Sequence, residues 1–270
     1  MMGLSPGPSA YIVSVGNELL IGKVVNTNLT WLGRKLTELG YRVEAALIVP
    51  DELDLIAWAF STAVERGAEV VVSTGGLGPT FDDKTAEGLA RAMGVELVLD
   101  ERALEMVREK YRGELTESRV KMAKLPKGAK PIPNPVGTAP GVEVEWKRAL
   151  IFLLPGVPAE MEAMFESYVK PKLRTLGPLP CKAEATLRVA GVPESIAAPV
   201  IRRSLELGSS VYVKSHPKGA ELGVPVLELH VTAYENDCRA ANELVERVAT
   251  FLERGLGALG ARVLRAGGGS

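Results

Sequence analysis

Short runs of β-branched residues alternate with longer stretches of helical spacing along the first part of the chain. The runs at 11–15, 42–49 and 69–73 are each followed by residues whose apolar positions recur every three or four. Short apolar runs are typical of buried strands, and the periodic stretches are typical of amphipathic helices. Repeated strand–helix units predict right-handed crossovers and therefore a parallel sheet.

This alternation gives way to a different order in the last third of the chain. The composition changes around the Leu-Gly-Pro-Leu-Pro stretch that begins at Leu176, which indicates a domain boundary. Beyond it the pattern predicts strand, helix, two strands and a helix, which is enough for a small α+β domain with its own core. The predicted organisation is an α/β domain at 9–176, a small α+β domain at 177–265 and a disordered tail at 266–270.

The most informative loop has the sequence STGGLGPTFDD and follows the third predicted strand. Its glycines are Gly75, Gly76 and Gly78, and it ends in Asp82 and Asp83 before a helix. Glycines let a backbone approach a ligand closely and turn its N–H groups toward an anion. Adjacent carboxylates suit Mg²⁺ held through water and ligand phosphates, but a tight turn with an aspartate that caps the helix fits equally well.

Other polar residues follow the first two strands at the same predicted edge of the sheet. Asn17 and Glu18 come directly after the first strand, and Asp51 follows the second. Ligands of open α/β sheets bind where strands end, so these residues are candidates for a site. Locally, Asn17 and Glu18 are also typical of solvated loops, and Asp51 is well placed to cap the next helix.

Composition and charge narrow the classes of function. The net charge is −1 without a long run of one sign, so the sequence indicates no surface for nucleic acid or membrane. No stretch suits a membrane span or a signal peptide, and we expect a cytoplasmic protein. The absence of glutamine, with abundant glutamate, arginine and proline, fits a thermophile.

The cysteines and histidines indicate no separate site. Cys181 and Cys238 are far apart and have no C-x-x-C partner, so we expect both to be reduced and structural. His216 and His230 are too few and too scattered for a metal site or a catalytic triad.

Several segments, taken together and in order, resemble one family. They are SVGNELLIG, NTN, VPD, STGGLGPTFDD, NPVGTAPG and LPGVPAE, between residue 11 and about residue 170. The chain resembles the CinA family (competence/damage-inducible protein CinA) in its N-terminal domain, which is similar to the molybdopterin-binding domain of MoaB and MogA. Full-length members add a C-terminal deamidase domain that this sequence does not match, so we expect no deamidase activity.

The resemblance implies a three-layer α/β/α domain with a mostly parallel sheet and a pocket for a phosphorylated ligand at the strand ends. It implies catalytic roles for Asp51 and Asp83, which match the acidic positions that serve molybdopterin adenylylation in MogA-like relatives. Asp82 and Asp83 would hold a divalent metal, Mg²⁺ or else Co²⁺ or Mn²⁺, and the protein would be a homo-oligomer, a dimer or trimer. The residues expected to contact the ligand are Asn17, Glu18, Asn28, Gly75, Gly76, Gly78, Thr80, Asn134, Gly137, Thr138, Ala139, Gly141, Pro155, Gly156 and Glu160.

Three functions fit this pattern. The first is metal-dependent hydrolysis of a nucleotide pyrophosphate, ADP-ribose or a related dinucleotide, which the resemblance to CinA-type domains favours. The second is binding of molybdopterin or a nucleotide without catalysis. The third is adenylylation of molybdopterin, against which the paired-aspartate form of the glycine loop argues by resemblance only.

Overall fold

The computed structural model describes residues 7–111, 115–177, 179–221 and 223–266. The chain divides into two compact units, of which the first consists of Pro8–Thr37 and Tyr41–Gly177. The second holds the described chain from residue 179 onward. Of the predicted tail, only Ala266 lies among the described residues, where it ends the last strand. No helix in these ranges is long and apolar enough to cross a membrane.

The first unit is built on a mixed sheet of six strands. The strands of this unit are β1 (Ser9–Val15), β2 (Arg42–Val49), β3 (Val70–Thr74), β4 (Leu97–Leu99), β5 (Lys124–Pro126), β6 (Lys130–Ile132), β7 (Gly141–Trp146) and β8 (Ala149–Leu154). The sheet order is β2-β1-β3-β8-β7-β6, in which β2, β1, β3 and β8 are parallel and the last two are antiparallel. β4 and β5 pair separately. The prediction of a mostly parallel sheet is confirmed.

Helices cover both faces of this sheet. They are α1 (Asn17–Leu20), α2 (Thr27–Glu38), α3 (Leu53–Glu65), α4 (Thr85–Met93), α5 (Glu101–Lys110), α6 (Glu117–Lys121), α7 (Pro158–Met164) and α8 (Lys170–Arg174), with a π-helical turn, Phe165–Val169, between the last two. Alternate residues of β1, such as Val13, share a buried cluster with α3, α4 and α5. On the other face, Trp31 of α2 meets Phe165 edge to face with ring centroids 5.2 Å apart. The predicted three-layer α/β/α arrangement is confirmed.

The second unit is an antiparallel sheet backed by two helices. Its elements are β9 (Cys181–Ala190), α9 (Glu194–Ser204), β10 (Val211–Glu221), β11 (Val224–Glu235), α10 (Cys238–Gly257) and β12 (Arg262–Ala266). The order β10-β11-β9-β12 makes each helix connect two strands that a third separates, which is a split β-α-β arrangement. The apolar stripe of α10 packs on inward residues of the sheet such as Leu187 and Leu229. The predicted α+β character is confirmed, and β12 is an additional strand that the pattern did not predict.

The expectation that both cysteines are reduced is wrong. Cys181 and Cys238 form a disulfide, with Cα atoms 4.9 Å apart. β11 runs antiparallel to β9 so that Glu235 pairs with Cys181, and the chain then enters α10 beside the start of β9. The separation of 57 residues hides this proximity in the sequence.

We expect the disulfide to stabilise the second unit substantially. In the chain-entropy model, a cross-link that closes a loop of 57 residues contributes about 4 kcal/mol to the free energy of unfolding. A Cys181→Ser/Cys238→Ser variant should therefore unfold at lower denaturant concentration than the oxidised protein, and reduced wild type should match the variant. Two titratable thiols in the natively purified, unreduced protein would contradict the disulfide.

Candidate functional site

The carboxyl ends of β1, β2, β3 and β8 surround a cavity of about 470 Å³ in the first unit. This edge of the sheet is the expected location, because parallel strands present their following loops on one side. The predicted residues that line the cavity are Glu18, Asn28, Asp51, Gly75, Gly76, Gly78, Thr80, Asp82, Asp83, Thr138, Ala139, Pro155, Gly156 and Glu160. The structure thus brings together residues that lie more than a hundred positions apart.

Four predicted ligand contacts, Asn17, Asn134, Gly137 and Gly141, are not among the residues that line this cavity. A Cβ on Gly141 would lie 2.7 Å from the Leu153 carbonyl oxygen, so this glycine permits close packing of β7 on β8. Ligand contact by these four residues stays a prediction. Asn17, Asn134 and Gly137 make hydrogen bonds within the loops of the site.

Asn134 and Glu160 shape the loop that carries Thr138 and Ala139 into the cavity. The Asn134 amide nitrogen donates to the Glu160 carboxylate (2.7 Å) and to the Ala139 carbonyl (2.9 Å). Its amide oxygen accepts from the backbone N–H of Gly137 at 2.7 Å. Because Asn134 is buried and both ends of its amide are engaged, it determines the shape of this loop.

Sequence reasoning missed the apolar side of the cavity. Leu19, Val24, Val25 and Val157 line it, and Val25 is 81% exposed. The available signal was the apolar stretch that directly follows Glu18, because exposed aliphatic residues in a loop seldom serve a core.

The glycine loop needs glycine because it runs against the protein's own backbone. Gly75 has φ +97°, and a Cβ there would lie 2.1 Å from the Val15 carbonyl oxygen. Gly76 has φ +65°, and its Cβ would lie 2.3 Å from the Thr85 hydroxyl oxygen. That hydroxyl donates to the Gly75 carbonyl at 2.8 Å. The loop is therefore fastened to the end of β1 and to the start of α4.

The paired aspartates organise the turn rather than cap the helix. The Thr80 backbone N–H donates to the Asp83 carboxylate at 2.8 Å, and the Thr80 hydroxyl contacts the carboxylates of both Asp82 and Asp83. α4 begins after Lys84, whose side chain makes no capping hydrogen bond. Capping by the aspartate pair, one of the alternatives drawn from the sequence, is therefore wrong. The Lys121 ammonium donates to the Thr80 carbonyl and brings positive charge to this turn.

Asp51 links two strand-end loops. Its carboxylate accepts the backbone N–H of Asn17 at 3.0 Å, whereas the residue that caps α3 is Glu52, without a side-chain hydrogen bond. The expected capping role of Asp51 is therefore wrong. Burial raises the pKa of Asp51, the Asn17 hydrogen bond opposes this, and the charges of nearby acidic residues raise it further. Those acidic residues are Glu18, Asp82 and Asp83.

The pKa of Asp82 shifts in the opposite direction from the pKa of Asp51. The hydrogen bond from Thr80 is the main cause that lowers the pKa of Asp82, with smaller contributions from Lys121 and Lys84. Environments that move two carboxyl groups apart in pKa suit different chemical roles, one that stays ionised and one that accepts a proton.

The oxygen donors around Asp51, Asp82 and Thr80 suit a hard cation such as Mg²⁺. In the described ranges, no three His, Cys, Asp or Glu residues are placed to hold a metal ion together. The suitable oxygen donors and the lack of a three-residue cluster are compatible for Mg²⁺, because this ion keeps several waters and is bound through one or two carboxylates and ligand phosphates. The residues present fit such an ion, and they do not form a closed all-protein cage.

Asn28 presents a fixed acceptor in the cavity wall. Its amide nitrogen donates to the Gly156 carbonyl oxygen at 2.8 Å, which determines the orientation of the amide. Its amide oxygen is buried and has no hydrogen-bond partner among the described residues. An unpaired buried acceptor costs free energy, so this atom is poised to accept from an N–H or O–H of a bound molecule.

Comparison of the chain with known proteins identifies its family. The family described as probable molybdopterin binding domain matches residues 11–175. A protein of Pyrobaculum calidifontis is 54% identical over 84% of this chain and 87% of its own length, and one of Aeropyrum pernix is 48% identical over 95% and 96%. Among solved structures, the protein CinA of Thermoplasma acidophilum, described as of unknown function, is 49% identical with a TM-score of 0.58. That match covers 60% of this chain and 98% of the other.

Gly75→Ala should destabilise the first unit because the new methyl group would collide with the Val15 carbonyl. We expect a loss of roughly 3 kcal/mol in the free energy of unfolding, from the left-handed backbone and the clash together. Gly67→Ala is the matched control, since Gly67 has φ +88° but nothing within 4 Å of its Cβ position. The control should lose only about 1 kcal/mol. Equal losses in denaturant titrations would show that backbone strain alone accounts for the effect.

Asp51→Asn should raise the stability of the protein at neutral pH. The folded state raises the pKa of Asp51 above its ordinary value of 3.8, so the ionised carboxylate opposes folding above that raised value. Below pH 3.8 both states are protonated and the difference disappears. Asparagine retains an acceptor for the Asn17 N–H. A denaturation midpoint for the variant that is higher at pH 7 and converges with wild type in acid is the expected result, and a lower midpoint at pH 7 would contradict it.

Proposed function

This chain belongs to the family of probable molybdopterin binding domains, and we propose that its cavity binds a nucleotide pyrophosphate and hydrolyses it with a divalent metal. The substrate class is ADP-ribose or a related dinucleotide. The observation that carries this proposal is the gathering of Asp51, Glu18, Asp82 and Asp83 around a glycine loop, where burial and, to a smaller extent, the other three carboxylates raise the pKa of Asp51.

Phosphate binding draws on the backbone and on two lysines. The glycine loop lines the cavity directly through Gly75, Gly76 and Gly78. Lys84 donates to the Asp51 carbonyl at 3.3 Å, and Lys121 donates to the Thr80 carbonyl. Both ammonium groups are long and flexible enough to turn toward a phosphate at the rim of the cavity.

The metal would be held by Asp82 and Asp83 through direct or water-mediated contacts. When bound, it stabilises negative charge on the phosphates. A residue of the chain itself would take up the proton in the hydrolysis step. Asp51 accepts the proton of the attacking water, for which its raised pKa suits it, while the bond to the bridging oxygen breaks and a nucleoside monophosphate leaves.

Asn28 would orient the ligand. The hydrogen bond to Gly156 sets the orientation of the amide, and its unpaired oxygen would accept from a ribose hydroxyl or a ring N–H. A molecule without such a donor would leave the buried oxygen unpaired and would bind less tightly.

Binding of a pterin phosphate without turnover is the second candidate, favoured by the description of the family that the chain belongs to. The same cavity suits it, since a pterin offers ring N–H donors to Asn28 and a phosphate to the glycine loop. The two candidates differ in whether the ligand is consumed.

Purified protein with ADP-ribose and Mg²⁺, Mn²⁺ or Co²⁺ should release AMP, and metal chelation should abolish the release. Asp83→Asn should reduce the rate about a hundredfold or more, since asparagine keeps an acceptor for the Thr80 N–H but loses the charge that holds the metal. Asp54→Asn is the matched control, because Asp54 lies on exposed α3 surface in an ion pair with Arg91.

Two results would count against hydrolysis. If AMP release were the same in Asp83→Asn and wild type, the metal assignment would be wrong. If no AMP appeared while calorimetry showed a bound pterin or nucleotide that is recovered intact, the binding role would replace the catalytic one.

A further inference from the structure

The second unit contains a groove that the proposed function does not use. It lies between α9 and α10, and its volume is about 810 Å³, within the usual range of small-molecule sites. Its walls include Val200, Arg203, Arg247, Phe251 and Arg254, and we call it the helix groove.

Helical spacing brings the basic and aromatic side chains together. Arg247, Phe251 and Arg254 stand at positions i, i+4 and i+7 of α10 and therefore form one stripe. Arg203 faces this stripe from α9, with its guanidinium 6.0 Å from the centre of the Phe251 ring. A Cβ on Gly255 would lie 2.6 Å from a methyl carbon of Val200, so this glycine permits close packing of the two helices.

The three arginines of the helix groove lack acidic partners. Within the described ranges, neither Arg203, Arg247 nor Arg254 forms a salt bridge, and Arg247 contacts only the Leu207 carbonyl, at 3.4 Å. The one acidic side chain of the walls, Glu246, is already paired with Arg265. Three guanidinium groups along one groove therefore leave an excess of positive charge.

Two other arginines of the same unit are paired with carboxylates. Arg239 of α10 pairs with Glu243 at 2.8 Å, and Arg265 pairs with both Glu246 and Glu253. The chain has 33 acidic against 32 basic residues, so acidic partners are not scarce. What distinguishes the helix groove is that three arginines without a salt bridge to any described residue line one cavity together with an aromatic ring.

We propose that the helix groove binds a nucleoside di- or triphosphate. Guanidinium groups form paired hydrogen bonds with phosphate oxygens, and Arg203 and Arg254 are exposed and able to close on them from opposite walls. The Phe251 ring offers a face for a planar base, and its contact with Arg203 is at the outer limit of cation–π distance and is readily exchanged. Phosphate and base would thus be recognised by different side chains.

Calorimetry with ADP on the full chain tests this site apart from the cavity of the first unit. We expect Arg203→Ala/Arg254→Ala to remove one equivalent of bound ADP, or to weaken that site at least tenfold, and to leave any AMP release from ADP-ribose unchanged. Arg202→Ala/Arg262→Ala is the control, since these exposed arginines do not line the groove. A failed hydrolysis assay would not affect this result, because the lost equivalent is counted whether or not the first unit is active.

Phe251→Leu separates recognition of the base from recognition of phosphate. It should weaken ADP binding several-fold and leave inorganic pyrophosphate binding unchanged, which a purely structural role of the ring would not do. Equal ADP stoichiometry and affinity in wild type and the arginine double variant would overturn the proposal, as would an equal loss in the control. Displacement of ADP by a single-stranded ten-nucleotide RNA that binds more tightly would overturn it in favour of a nucleic-acid surface.

Discussion

The site depends on close backbone contact between loops that follow neighbouring strands. Gly75 lies against the Val15 carbonyl, and a Cβ on Gly156 would lie 3.3 Å from the Gly75 Cα. The ends of β1, β3 and β8 therefore meet without side chains between them. Asn28 adds to this arrangement by binding the Gly156 carbonyl. Larger side chains at these positions would force the strand ends apart and change the shape of the cavity.

Negative charge gathers in the same cavity. Burial and the neighbouring acids raise the pKa of Asp51, which means that the folded protein holds this carboxylate against an electrostatic cost. Such a cost is typical of sites where a bound cation supplies the missing charge. A cation held by Asp82 and Asp83 would relieve the repulsion and, in the same place, attract phosphate.

The local hydrophobic patterns of the sequence predicted most of the strands and helices. The expected parallel sheet predicted which residues meet at the site. β2 was expected at 42–49 and lies there, because a largely apolar run is bounded by Gly40 and Pro50. Short strands such as β5 and β6 were missed, since each contains a proline and has only three residues. Glu18, Asp51 and Asp83 were expected at one sheet edge, and they line one cavity, because parallel strands leave little freedom in where their ends lie.

What the sequence could not show are partners that the fold alone brings together. Asp51 was expected to cap α3, but its carboxylate binds Asn17, which is 34 residues away. Cys181 and Cys238 pair for the same reason, through the register of β9 and β11. The helix groove is a further case in which the fold brings together residues that are distant in the sequence. Arg247 and Arg254, spaced along α10, resemble any solvated helix face, and only the position of α9 shows that Arg203 joins them in one groove beside the Phe251 ring. The order of charged residues along the sequence does not show which of them find a partner of opposite charge. Recognition of a ligand depends on the charges that remain unneutralised after folding.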